Sequence, residues 1–323
     1  YLGEKGEIEA TTPITFAKDL EEGTIVLNGT ESDPVTYPEV YKDLATYGTI
    51  AVEGEVWVDG GDRAIDLSGL SSTLFFAKTG TDLHLENLTF ANLQMTVETG
   101  ESAIVSVLAG LTEEERAAAL ASGFAGISAD VSVDGCQFDT IYGDVGSFLI
   151  AGNLSIRNSM FLKTSQVEGM KAGGSSSILG RFRNGAVTIE NTIFTDQSSE
   201  GGQFCDESGS AITVKTSSFI GNSSAEFLGG TELTIDSVLF AQNGRVKFEV
   251  SKGTVNNATF VGDGSFQFSV TNDLVLTNTI VWEKSESSPL VNAGSLEAHN
   301  TVVYGSSENL PQPTVGEFWH SLN

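Results

Sequence analysis

Basic residues are scarce in this chain of 323 residues: 16 Lys and Arg stand against 43 Asp and Glu, a net charge of −27. A phosphate backbone or an anionic bilayer is held by clustered cations, so neither nucleic acid nor a membrane surface is an expected partner. An acidic polysaccharide would be repelled as well unless calcium intervened. Proline is rare, with 6 residues. No apolar run approaches the roughly 18 residues of a membrane-spanning helix, so membrane insertion is not expected. Ten-residue amphipathic helical runs do not recur along the chain, which excludes leucine-rich and helical repeats. The chain opens on Tyr1 rather than Met, for which a processed mature form and a trimmed chain are equal readings.

What the chain does contain is a repeated register. Leu233-Thr-Ile-Asp-Ser-Val-Leu-Phe240 and Val187-Thr-Ile-Glu-Asn-Thr-Ile-Phe194 are two copies of an eight-position unit. The unit is apolar at one and three, carries a turn residue at five and a small one at six, and ends on Phe at eight. Nine copies align, starting at Leu83, Val131, Leu154, Val187, Ile212, Leu233, Gly253, Leu274 and Leu296. Position eight reads Phe90, Phe138, Phe161, Phe194, Phe219, Phe240, Phe260, then Val281 and Val303. From Ile212 onward the starts fall 20 to 22 residues apart. A period near twenty with strand-like alternation predicts one elongated stack of coils rather than two globular domains. Position five is rich in Asn (Asn87, Asn158, Asn191, Asn257, Asn278, Asn300) with Gly135 in another copy. These residues accept a left-handed backbone at low cost, so each coil is expected to turn a tight corner there. A second apolar segment precedes most copies, as in Ser147-Phe-Leu-Ile150 and Val246-Lys-Phe-Glu-Val250. Three short strands per coil describe an all-β parallel β-helix.

At this point the chain resembles the right-handed β-helix family that includes pectate lyases and polygalacturonases, and the pectate-lyase-like surface proteins secreted by gut Bacteroidales. The likeness covers roughly residues 20 to 305. Gly23-Thr-Ile-Val-Leu-Asn-Gly-Thr30 looks like the opening of such helices, followed by Gly48-Thr-Ile-Ala-Val-Glu-Gly54 and Val56-Trp-Val58. The Phe-x-x-Asn of Phe219 to Asn222 and Phe240 to Asn243 is loosely similar to repeats of polymorphic outer-membrane passenger domains. Both resemblances imply an extracellular or cell-surface location and a right-handed parallel β-helix. The expected organisation is a single domain over 1–323, with an N-terminal strand or cap over 1–22, coils over 23–305 and a tail over 306–323.

Cys136 and Cys205 are the two cysteines. The register sets them three coils apart, about 14 Å at ~4.8 Å per coil, beyond the ~7 Å reach of a disulfide. Two buried free thiols are expected.

Three outward columns carry further information. Position four alternates in sign through Asp134, Arg157, Glu190, Lys215 and Asp236, which predicts a ladder of surface ion pairs that also pins the register. Position two is a hydroxyl stripe from Ser132 to Thr254, as β-propensity alone would produce. Position seven should face outward yet holds Met160, Ile193, Leu239, Ile280 and Val302. An apolar stripe of that kind is covered or binds something. The candidates are the chain's own loops, the tail Asn309 to Asn323 with Pro311, Pro313 and Trp319, or a partner or neighbouring subunit. The coil ends and the strand-like Glu7 to Phe16 offer another route to a homo-oligomer or filament, either closing the first coil internally or adding to a neighbour.

Loops are where a solenoid keeps specific function. Thr112 followed by Glu115 is a capping box ahead of an alanine-rich run, which predicts a short helix over 112–122. A second excursion, Ser165 to Asn184, holds Lys171, Arg181 and Arg183, the one dense basic spot, with Asp144, Asp206 and Glu207 in nearby coils. By resemblance to β-helix lyases, Arg181, Arg183 or Lys171 would be the base that removes a proton beside a uronate carboxylate, and Asp144, Asp206 and Glu207 would hold calcium. The family's hydrolase signatures are absent. The expected function is therefore a secreted or cell-surface, non-catalytic β-helix that binds glycan, adheres, or assembles, with a polysaccharide lyase or hydrolase acting on an acidic glycan as the alternative.

Overall fold

In the computed structural model of the chain, residues 7–9, 14–15, 24–28, 50–69, 73–94, 103–142, 147–162, 177–183, 185–196, 203–282, 291–304 and 319–322 are described. They form an all-β parallel solenoid with one short helix. Among them no helix is long and apolar enough to cross a membrane. The nine units occupy nine successive rungs. Leu83 pairs with Val131, and the ladder continues through Leu154, Val187, Ile212, Leu233, Gly253, Leu274 and Leu296. The Phe column is equally in register, from Phe90 through Phe260 to Val281 and Val303.

Each coil has three faces. Face A is the apolar segment before the unit, face B is positions one to four, and face C is positions seven to nine. In the earlier coils A and B are separate strands, as in Phe148–Ala151 and Leu154–Arg157. In the later coils the expected separation is lost. Ala225–Asp236, Val246–Asn256 and Phe266–Thr277 each run as one strand across both faces. The bend is absorbed by register shifts between Leu228 and Gly230 and between Val250 and Gly253. A Cβ on Gly230 would lie 2.8 Å from Ile212 Cδ1, so a glycine is what lets the chain bend against the rung above.

The corner between B and C is left-handed in all nine coils, with φ between 48° and 63° at position five. Asparagine does more here than tolerate that backbone. Asn191 Nδ2 donates to Asn158 Oδ1, and Asn158 Nδ2 donates to Asp134 Oδ1, both at 2.7 Å. Further down, Asn300 donates to Asn278, Asn278 to Asn257 and Asn257 to Asp236, each at 3.2 Å. The structure adds a second left-handed corner at position ten, between C and the next A: Asn92, Thr140, Asp196, Gly221, Gln242 and Gly262 all have positive φ. One residue further on, Asn222 and Asn243 are buried. Asn222 Nδ2 donates to Phe194 O and to Asn243 Oδ1, and Asn243 Nδ2 donates to Phe219 O and to Asp263 Oδ1. The Phe-x-x-Asn spacing thus places a ring in the core and an amide that bonds to the rungs on either side of it.

Two phenylalanine ladders fill the core. Along face C, Phe90, Phe138, Phe161, Phe194, Phe219, Phe240 and Phe260 stack with successive centroid separations of 5.2, 4.3, 4.7, 4.8, 4.6 and 5.0 Å. Along face A, Phe227, Phe248 and Phe268 stack at 5.4 and 4.9 Å. The ladders meet edge to face, at 81° between Phe219 and Phe227 and 90° between Phe240 and Phe248. Each such contact adds about 0.5–1.5 kcal/mol beyond area burial.

Short strands at both ends add to the stack. Glu7–Glu9 pairs with Ile50–Glu53, Ile14 with Val58 and Thr24 with Ala64, so the N-terminal strand pairs within its own chain, the internal closure expected of it. At the other end Trp319–Leu322 pairs with Thr301–Tyr304, extending face C by a rung. The helix spans Glu113–Ala121, with both capping-box bonds made between Thr112 and Glu115.

Phe219 touches rings on three sides, so Phe219→Ala should cost about 3–5 kcal/mol, read as a fall in the urea midpoint. Thr216 is a β-branched residue held at φ 48° in the corner column. Replacing it with the column's preferred residue, Thr216→Asn, should raise stability by about 1 kcal/mol, seen as a higher thermal midpoint.

Candidate functional site

Face C turns two columns outward. Position seven runs Met160, Ile193, Ser218, Leu239, Thr259, Ile280 and Val302, one residue per rung. Position nine runs Leu162, Thr195, Ile220, Ala241, Val261, Trp282 and Tyr304 on the same rungs. Not one of the fourteen is charged, in a chain of net charge −27. Among the described residues five large apolar side chains are exposed, and four lie here: Ile193 at 41%, Val261 at 37%, Ile280 at 45% and Trp282 at 48%. The fifth, Leu120, is on the helix.

Physical constraints build this face. Parallel pairing repeats every position at the rung spacing, so one apolar choice per coil becomes a stripe. The stacked Phe column lies beneath it, each inward ring resting on the next. Trp282 and Tyr304 stack on adjacent rungs with centroids 4.6 Å apart and planes within 14°. Rings stacked along the solenoid cover each other's faces and present their edges.

All five residues expected at an interface, Met160, Ile193, Leu239, Ile280 and Val302, are brought together in this single column. Ile193 and Ile280 are exposed and the other three half-buried. The described part of the tail, Trp319–Leu322, adds the next rung instead of lying across the stripe.

The basic excursion is described only in part. Lys171 and Asp144 lie outside the described residues. Arg181 sits on face A at the register of Leu149 and Asp206, while Glu207 stands at the register of buried Phe182. Arg183 is half-buried and its Nη1 donates to Phe182 O at 2.8 Å. No group of three or more His, Cys, Asp or Glu with metal-binding placement occurs among the described residues.

Faces A and B carry the charges: Lys247 pairs with Glu249 on face A at 2.7 Å, and face B holds the position-four column. Its position-four alternation is in register, but among the described residues it forms one ion pair, Arg157 with Glu190 at 3.6 Å. Asp134 and Asp236 accept asparagine amides instead. Near the N-terminal end Trp57 stacks on His84 at 3.9 Å, and His84 Nδ1 lies 2.6 Å from Ser132 Oγ with Nε2 3.3 Å from Asp82. These are the residue types of a nucleophilic triad, but they stand on a flat sheet whose neighbouring strands are paired on both sides. The contacts tie three successive rungs together through His84.

No protein-family profile, no curated protein and no solved structure matches this chain. Face C is therefore weighed on its own geometry.

Sequence reasoning found half of the face. The eight-position unit stopped before position nine, so Val261, Trp282 and Tyr304 were missed. Extending the register by one outward position would have revealed them, since position nine is uncharged wherever position seven is from Met160 onward.

Cys136 is free and buried at position six. The side chain of Cys205 lies outside the described residues. Desolvation pushes the Cys136 thiol from its ordinary value near 9 up to about 12. The folded state keeps the proton that the unfolded chain gives up. This contribution is whole below about pH 9 and is lost as pH rises towards about 12. Cys136→Ser, the residue type found at this position in Ser159 and Ser217, should flatten the fall of stability across that window in denaturant titrations. Native Cys136 should resist iodoacetamide at pH 8 and react once the chain is unfolded.

Proposed function

We propose that this chain is a non-catalytic β-solenoid of the secreted or cell-surface kind, whose working part is face C and whose role is binding or assembly. The observation that carries this reading is the concentration of exposed apolar side chains on one uncharged sheet face of a strongly acidic chain. Exposed apolar side chains gathered on one face are a feature of interaction sites. The likeness to pectate-lyase-like right-handed β-helices, including Bacteroidales-type surface proteins, supports the location outside the cytoplasm. Where the ligand is a glycan, a neutral one suits the charge balance, held against the edges of Trp282 and Tyr304.

The lyase alternative has one observation in its favour: Arg181 and Asp206 share a register position on adjacent rungs. Calcium held by Asp144, Asp206 and Glu207 belongs to that alternative.

Uronate-polymer cleavage, followed as unsaturated product by ultraviolet absorbance with and without calcium, separates the two. No product is expected. Cleavage that disappears in an Arg181→Ala, Arg183→Ala double variant would establish the lyase instead. On immobilised neutral glycans, retention reduced at least tenfold by Trp282→Ala would assign the glycan form of the proposal.

A further inference from the structure

We infer that face C pairs with face C of a second copy of this chain, around a two-fold axis running along the strand direction and centred on Leu239. This rests on the reading of face C as the working surface and goes beyond it by naming the partner.

The polarity of the position-seven column reads the same from either end. Two apolar rungs, a hydroxyl, Leu239, a hydroxyl and two apolar rungs follow one another from Met160 to Val302. A two-fold axis along the strands keeps the column over itself and reverses rung order. Ile193 then meets Ile280, Ser218 meets Thr259, and Leu239 meets its own copy. Apolar rungs face apolar rungs, and each hydroxyl faces a hydroxyl with which it can exchange a hydrogen bond. In the position-nine column the same axis sets Trp282, the most exposed large side chain of the face at 48%, opposite Thr195, a small one. An axis along the solenoid would instead lay Ser218 on Ile220 and Thr259 on Val261, mismatched in polarity, and Ile280 on Trp282, two large side chains. Isologous pairing demands self-complementarity of the first kind.

Charge selects the same partner surface. Two chains of net charge −27 repel, and their close approach is least costly where neither presents a charge. The Asn158–Asn191 and Asn257–Asn278–Asn300 ladders border the position-five edge of the face with uncharged amides, while exposed Asp196 stands at the position-ten edge. Area sets the strength. Six rung spacings of ~4.8 Å and a width of about 15 Å bury roughly 450 Å² per copy. The total, roughly 900 Å², falls at the weak end of specific interfaces. The dimer is therefore concentration-dependent rather than obligate.

Sedimentation equilibrium of the full chain over about 1–200 μM, a range that spans micromolar affinities, is the test. The mass should climb from 34.1 kDa towards twice that value, and at lower concentration in high salt, because salt screens the like charges. Ile193→Asp and Ile280→Lys should each weaken pairing at least tenfold. Both positions are exposed, so circular dichroism should show an unchanged fold. The double variant brings the new carboxylate against the new ammonium across the axis and should recover pairing to within about threefold of the parent. A monomer throughout overturns the inference, as does a dimer indifferent to both single changes or one that the double variant fails to recover. The cleavage assay reads a different property: a lyase result would overturn the non-catalytic reading while leaving these masses as they are.

Discussion

Stacking of one aromatic ring on the next at the spacing of a parallel β-ladder is the interaction on which this structure depends. Hydrogen bonds between strands set the rungs about 4.8 Å apart, and phenylalanine rings stack offset at nearly that distance. The observed separations of 4.3 to 5.2 Å along face C show the two periods agreeing over seven rungs. A slip by one residue would turn every ring to solvent. The core therefore reads out register as strongly as the backbone does.

The corners extend the same logic to polar groups. A coil must turn without leaving buried backbone donors unpaired, and the left-handed residues do this at position five of all nine coils and at position ten of the six coils where that position is described. Asparagine at five bonds to its counterpart on the adjoining rung along the outside. Asn222 and Asn243, just past the position-ten corner, do the same on the inside, against carbonyls of the Phe column. Side-chain amides thus repeat the hydrogen-bond ladder of the backbone beside it. Thr216 and Ser237 hold the same conformation without the amide, and the ladder is interrupted there.

Charge is sorted by face. Face B carries the acidic and basic columns, and its N-terminal rungs stack Asp59, Glu86 and Asp134 on one another. Asparagine amides from Asn87 and Asn158 relieve part of that repulsion. Face C carries none from Met160 to Tyr304. A solenoid makes such segregation simple, because the side a residue faces depends on its position within the coil and on nothing else. A surface kept free of charge over seven rungs in an acidic chain suits contact with another uncharged surface, and self-association or neutral glycan both meet that condition.

The sequence by itself determined the rung register, because alternation, the Phe column and the Asn corner recur in the same eight positions and each is a local property of the chain. It also determined the helix, through the Thr112–Glu115 capping box, and the outward apolar column at position seven. Only the tertiary structure decided what lies between the repeats. Whether A and B form one bent strand or two turns on close contacts such as Gly230 against Ile212, which are distant in sequence. The position-ten corner was hidden because Asn, Thr, Asp, Gln and Gly share it, with no single residue type to mark it. The second column of face C, with Trp282 and Tyr304, emerged only when the rungs were stacked, since two side chains 22 residues apart become neighbours through inter-strand hydrogen bonding and not through any signal in either segment.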